Sequence, residues 1–434
     1  MTESPHGLVR TIGRWSLTAL MVNSIVGVSI FKLPADLARN LGGWSPLSCV
    51  AAGAGILVIA GCIAEVSSRY EETGGLYLYA RDALGRFAGL LVAWMTWLTR
   101  IAAPAAAANL VWTYSAKFCP RLESGPGKFL VLFLLIGHLA LSNYFGARTG
   151  KNLSNFFTAV KVGFLLAFVT AGCWALMARP ELRVPLALPA VSAKSWFETM
   201  LLLVYAYGGF EGALFVGGES TNPKRDTPIA LLLALGVVCL IYTAVQYVTI
   251  ATLPDAGTSA RPLADAAQRF VGSSGAAAIA MAALISGYGY LSANVLHAPR
   301  ITYALAEQGD FPAVLGIVHP KYRTPYVSIL VYAALVFLFA LIGSFQWNAL
   351  LSAASRLSVY CAMALAVPIL RSRNDGEAKF LLPAPYLFAG LGILFSVVLA
   401  TRMGRSEFAV IGTTSVIALV NWAVVRRSVA ERRG

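Results

Sequence analysis

Two glycine-rich runs carry the residues of this chain best suited to chemistry. The first is Asn23-Ser-Ile-Val-Gly-Val-Ser-Ile-Phe31, followed by Pro34; the second is Tyr205-Ala-Tyr-Gly-Gly-Phe-Glu211, followed by Gly212, Gly217 and Gly218. Both lie inside apolar stretches. Glycine weakens a helix because it has the most backbone freedom to lose. A helix interrupted part-way frees C=O groups at the end of one half and N–H groups at the start of the other. The N–H end carries partial positive charge and suits an anion, and the C=O end suits a cation. Other chemistries lack their residues. Gly146-Ala-Arg-Thr-Gly-Lys-Asn152 is one residue short of a phosphate-binding loop and lacks its final Ser or Thr. The histidines His6, His138, His297 and His319 are scattered without metal-ligand spacing. No dinucleotide fingerprint, paired carboxylates or Ser–His arrangement stands in the apolar stretches, so the expectation is no enzyme, no cofactor and no metal.

The elements that must position these runs are membrane helices. The chain is 58% hydrophobic and 12% charged, with a mean hydropathy of +0.69. A water-soluble domain usually carries about 25% charged residues. The charge that remains collects in short breaks between long apolar runs, as spans of about 20 apolar residues require. Twelve such runs can be marked: Trp15–Leu37, Trp44–Ser67, Phe87–Tyr114, Phe129–Phe145, Phe156–Met177, Trp196–Gly218, Pro228–Leu253, Gly275–Leu305, Tyr326–Ile342, Trp347–Leu370, Leu381–Ala400 and Phe408–Val425. A barrel would show alternating ten-residue segments instead, so helix is the expected structure. The first run is too long for a cleavable leader and has no small-residue cleavage site. Five of the six cysteines lie in apolar runs and read as packing residues, with Cys119 near a loop.

The net charge of +14 reads as orientation rather than nucleic-acid binding. With the N-terminus in the cytoplasm, cytoplasmic segments hold 19 Lys and Arg residues and outer segments 11. Arg10, Arg148, Arg432 and Arg433 belong to the first set. Only Lys32, Arg100, Lys161 and Arg356 remain inside spans. Gly27 and Gly209, the centres of the two glycine-rich runs, are 182 positions apart, and the spans that follow keep nearly that offset. Glycines also let helices pack closely. Their matched position in two halves favours an inverted-repeat secondary transporter. The expected architecture is an all-α membrane protein with a cytoplasmic segment 1–14, a first repeat 15–180, a second repeat 195–371 and two peripheral helices within 380–426.

At these segments the chain resembles the amino acid–polyamine–organocation superfamily of transporters. Val26-Gly-Val-Ser-Ile-Phe31 with Leu33-Pro34 is similar to its Gly-Ser-Gly-Ile-Phe signature and trailing proline. Tyr205-Ala-Tyr-Gly-Gly-Phe-Glu211 is similar to its aromatic–Ala–aromatic–x–Gly–aromatic–Glu run, and Gly218-Glu-Ser-Thr-Asn-Pro-Lys-Arg-Asp-Thr-Pro228 to the loop that follows. Ala298-Pro-Arg-Ile-Thr-Tyr-Ala-Leu-Ala-Glu-Gln-Gly-Asp-Phe-Pro312 at the end of the eighth span is also family-like. The resemblance covers essentially the whole chain and is strongest to L-type and bacterial amino acid permeases.

It implies amino acid transport by alternating access. A free amino acid is zwitterionic, so both charged ends need partners. Gly27, Val28 and Ser29 are expected to hold the carboxylate; Ile25 with the carbonyls of Tyr205, Ala206 and Gly208 is expected to hold the amine. Tyr205 matches the family's aromatic gate. Ser29 and Val28 depart from the signature, where glycine and serine stand. Ser29 either donates to the carboxylate or crowds it, and an amine or polyamine exchanger stays open as the alternative. A binding-only sensor is the third reading. Lys161, Tyr207, Glu211 and Arg100 are the candidates for gating or coupling. A lysine inside a span costs roughly 2.5–3.5 kcal/mol on insertion scales and so has a partner or a task. Lys161 matches the fifth-helix lysine of sodium-independent members, which implies proton symport or exchange; the other reading is a structural cation. Arg100 either pairs with Glu211, the favoured reading, or shapes selectivity. Glu211 is either a protonatable gate or a hydrogen-bonding support for the break. Lys32 is expected to snorkel outward, and Arg356 has no evident partner. The expected partners are a small amino acid substrate and the surrounding lipid; nothing fixes an oligomeric state.

Overall fold

The computed structural model describes residues 13–70, 75–146, 151–214, 220–373 and 378–431. His6, Arg10, Arg148, Gly217, Gly218, Glu219, Arg432 and Arg433 therefore lie outside the described residues. The helices run α1 (Arg14–Ile25), α2 (Leu33–Leu41), α3 (Ser45–Ser67), α4 (Gly75–Leu84), α5 (Arg86–Phe118), α6 (Gly125–Tyr144), α7 (Lys151–Ala178) and α8 (Ala193–Tyr207). They continue with α9 (Phe210–Leu214), α10 (Pro223–Thr252), α11 (Pro262–Phe270), α12 (Ser273–Glu307), α13 (Tyr326–Ile342), α14 (Phe345–Arg373), α15 (Pro385–Ala400) and α16 (Arg405–Glu431).

Among the described residues, eight helical stretches are long and apolar enough to cross a membrane. Tyr326–Ile342 and Pro385–Ala400 are shorter apolar helices. The first and sixth expected spans are interrupted: α1 and α2 are separate, as are α8 and α9. Helix is what an apolar solvent demands, because each span satisfies its own backbone polar groups.

The two halves match element for element. Each opens with a broken helix, then a long helix (α3, α10). A short helix with one buried face follows (α4 of 10 residues, α11 of 9), then the longest helix of its half (α5 of 33, α12 of 35). α6 and α7 correspond in the same way to α13 and α14. α5 stands at the centre, packed on α12 and α14, and its run Ala105–Ala108 is fully buried. Small residues allow that close approach. The apolar window of α5 is 78% buried, against 17% for α16, which sets α16 at the periphery. The outward faces of α6 and α15 expose Phe133, Leu134, Leu387 and Leu394, the surface expected against lipid chains.

Candidate functional site

The first break opens after Ile25. Val26 still donates its N–H to Val22 O at 2.8 Å, but Gly27 and Val28 leave the helix, and Ser29–Phe31 form a single 3₁₀ turn. Among the described residues the N–H groups of Gly27, Val28 and Ser29 have no backbone acceptor. In an unbroken helix they would bond the carbonyls of Asn23, Ser24 and Ile25, so those three oxygens are freed as well. The protein takes up each one differently. Lys161 Nζ donates to Asn23 O at 2.5 Å. The Tyr242 hydroxyl lies 3.1 Å from Ile25 O. Ser24 O faces the second break. Gly27 itself borders open space: a Cβ built on it would meet only Ile25 O, at 3.7 Å.

The second break is Gly208-Gly209. Gly209 has φ +118°, a conformation open to glycine, and a Cβ there would lie 2.3 Å from Ser24 O. The two breaks therefore touch, backbone to backbone. Tyr242, from α10, joins them, since its hydroxyl also lies 3.2 Å from Ala206 O and sits beside Ser29 and the Gly27 backbone. Glu211 turns back over its own half-helix: Oε2 accepts from Gly209 N–H at 2.6 Å, and Oε1 accepts from the Tyr360 hydroxyl at 2.5 Å. An acidic group at the N-terminal end of α9 meets the positive end of the local dipole. Arg356, from α14, completes the cluster. Its Nε lies 3.1 Å from Glu211 Oε1, and its Nη1 donates to Tyr205 O at 3.2 Å.

Arg100 stands beside this cluster on α5. Its Nη2 would lie 3.9 Å from a Cβ on Gly212, and the side chain is near enough to interact electrostatically with Glu211, Tyr290 and Arg356. The carboxylate expected to pair with Arg100 has Arg356 as its ion-pair partner. Tyr205 packs its ring edge-on to Phe345 at 6.0 Å. Tyr207 points elsewhere: it is fully buried and donates to Cys49 O of α3 at 2.8 Å. Lys32 finds a protein acceptor, Ser259 O at 3.2 Å.

A membrane bundle with two facing helix breaks narrows the comparison to transporters. The family model described as amino acid permease matches residues 12–424. The chain belongs to the amino acid permease family. It is 27% identical to the serine/threonine exchanger SteT of Bacillus subtilis over 393 residues, covering 87% of each chain. It is 24% identical to the branched-chain amino acid permease BcaP of the same organism, over 93% of this chain and 90% of that one. The methylthioribose transporter of B. subtilis is 25% identical over 89% of this chain and 88% of its own.

This permease is tied together by ion pairs at the end of the bundle where α1 begins. Arg14 bonds Asp226 through Nε and Nη2, both at 3.0 Å, which joins α1 to α10. Arg371 of α14 grips Glu65 of α3 with two hydrogen bonds of 2.6 and 2.8 Å, and Glu65 also accepts from Leu382 N–H. Arg86 and Tyr77 both hold Asp310, beyond α12. In the sequence Arg356 stands out as an intramembrane charge without an evident partner, whereas nothing there marks Tyr242 or Tyr360. A tyrosine in an apolar span gives no signal until packing shows what its hydroxyl reaches.

Proposed function

We propose that this permease moves amino acids across the cytoplasmic membrane by sodium-independent alternating access, as a proton symporter or an exchanger. The observation that carries this reading is the contact between the two breaks, Gly209 against Ser24 with Tyr242 spanning Ile25 and Ala206. Backbone N–H groups of Gly27, Val28 and Ser29 stand ready for a carboxylate, next to the open space at Gly27. The names of the relatives SteT and BcaP support an amino acid substrate. Lys161 supports independence from sodium, because its ammonium already sits on the carbonyl that the break frees. The distribution of Lys and Arg supports cytoplasmic termini. On that orientation the Arg14–Asp226, Arg371–Glu65 and Arg86–Asp310 pairs form the cytoplasmic gate, whose opening and closing would alternate with the outer side. A polyamine is the weaker alternative, since it has no carboxylate for the N–H groups of Gly27, Val28 and Ser29 to hold.

Uptake of labelled amino acids into proteoliposomes tests the reading directly. Accumulation that persists when choline replaces sodium supports it. A protein that binds amino acids without moving them would instead be a sensor.

A further inference from the structure

Four carbonyls freed by the two breaks already face donors of the protein itself. In an unbroken helix Tyr205 O and Ala206 O would accept from the N–H groups of Gly209 and Phe210. Gly209 N–H instead donates to Glu211 Oε2 at 2.6 Å. Tyr205 O keeps a long bond of 3.3 Å from Gly208 N–H and takes a second, from a cation, at 3.2 Å from Arg356 Nη1. The Tyr242 hydroxyl stands 3.2 Å from Ala206 O and 3.1 Å from Ile25 O, and its single proton serves one of them at a time. In the first break Lys161 Nζ donates to Asn23 O. Arg356 is 6% exposed and lies against the opened backbone, where a Cβ on Gly208 would meet Cζ at 2.2 Å. Its charge is met by Glu211, 3.1 Å from Nε. A protein cation thus occupies the carbonyl at which the amine of an amino acid is expected.

We propose that Arg356 is a positioning residue that stands in for the substrate's ammonium while the transporter is empty. The empty protein is thereby able to change sides, so uptake needs no amino acid leaving in exchange. This rests on the transport reading above and favours its net-uptake branch over obligatory exchange. A buried carbonyl left without a donor bears the full cost of its desolvation. A carrier whose empty site leaves such groups bare reorients slowly unless it is loaded, and the guanidinium removes that penalty here. When an amino acid enters, its carboxylate goes to the N–H groups of Gly27, Val28 and Ser29. Its ammonium has three donors. One takes Tyr205 O from Arg356 Nη1, and another takes Ile25 O or Ala206 O, whichever the Tyr242 proton leaves. The displaced guanidinium keeps its pairing with Glu211, so no buried charge is stranded.

The experiment compares uptake into substrate-free proteoliposomes with uptake into proteoliposomes loaded with the same, unlabelled amino acid. Labelled proteinogenic amino acids are screened singly, and the one that loaded vesicles take up fastest is carried forward. The wild-type protein is expected to fill empty vesicles at a rate comparable to loaded ones. The double variant Arg356→Met with Glu211→Gln removes the donor without stranding a charge. Its ratio of empty to loaded uptake should fall at least about tenfold below that of the wild type, the scale of one unsatisfied buried carbonyl. Arg356→Lys, which keeps a cation, should hold the wild-type ratio. A purely structural role would lower both rates together and leave the ratio of the double variant unchanged. That result, or wild-type uptake that requires internal amino acid, would overturn the proposal and leave the transport reading standing. Movement of no amino acid into either kind of vesicle would overturn both.

Discussion

Gly208 and Arg356 are shaped for one another: the missing side chain of the glycine leaves the space in which the guanidinium lies, 2.2 Å from where a Cβ would stand. Neither residue explains itself alone. The glycine is part of a helix break, and the arginine is a charge inside a span, but together they let a cation lie flat against an opened backbone. Gly208→Ala should push the guanidinium off Tyr205 O. Overpacking of this kind costs about 1–3 kcal/mol, so the variant should melt earlier in detergent and lose uptake. Wild-type behaviour in both measurements would contradict the placement of Arg356.

Removing one member of the buried pair should cost more than removing both. Arg356→Ala strands Glu211 without its cation, a change of about 3–5 kcal/mol for a buried pair. Adding Glu211→Gln should recover much of that loss. Comparing thermal midpoints of the two singles and the double checks it; additive losses would mean that the two side chains do not act as a pair.

Gly27 and Gly209 should answer differently to alanine. Gly27→Ala enters open space, so the protein should fold and yet lose uptake by tenfold or more. Gly209→Ala combines a positive φ with an approach of 2.3 Å to Ser24 O, so it should reduce the folded yield itself. Size-exclusion profiles alongside flux separate the two effects. Equal outcomes at the two positions would argue against the geometry of the breaks.

Lys161→Ala leaves Asn23 O unsatisfied, worth about 1–3 kcal/mol in a buried setting. Uptake should fall sharply, and the wild type should work equally well in sodium and in choline. A strict sodium requirement in the wild type would remove the role assigned to this lysine.

Tyr77, on the short helix between the second and third crossings, is pushed up to about 12 by burial and by its hydrogen bond to Asp310. An ordinary tyrosine titrates near about 10. A raised value in the folded state means that the neutral form is favoured there, so its contribution is complete below about 10 and fades as pH rises through the folded value. The stability gap between wild type and Tyr77→Phe should therefore stay constant from about pH 6 to 9 and shrink in stronger alkali, as read by thermal unfolding.

What the sequence determined by itself was everything that repeats locally. Apolar runs of spanning length imposed helices, because a backbone in lipid has no other way to satisfy itself. Gly27 and Gly208-Gly209 marked the breaks, because glycine weakens a helix wherever it stands, and the matched halves followed from spacing along the chain. Lys161 and Arg356 announced themselves as costly charges inside spans. What only the tertiary structure decided was which groups meet. Tyr360 and Glu211 are 149 positions apart, Tyr242 and Ile25 are 217 apart, and no periodicity along the chain brings such pairs together. Their contacts depend on how helices rotate and cross, which is set by the fit of many small side chains at once. For that reason the carbonyls of Tyr205 and Ala206 could be placed at the break from sequence, whereas only the packed helices show Tyr205 O accepting from Arg356 and the one Tyr242 hydroxyl lying between Ala206 O and Ile25 O.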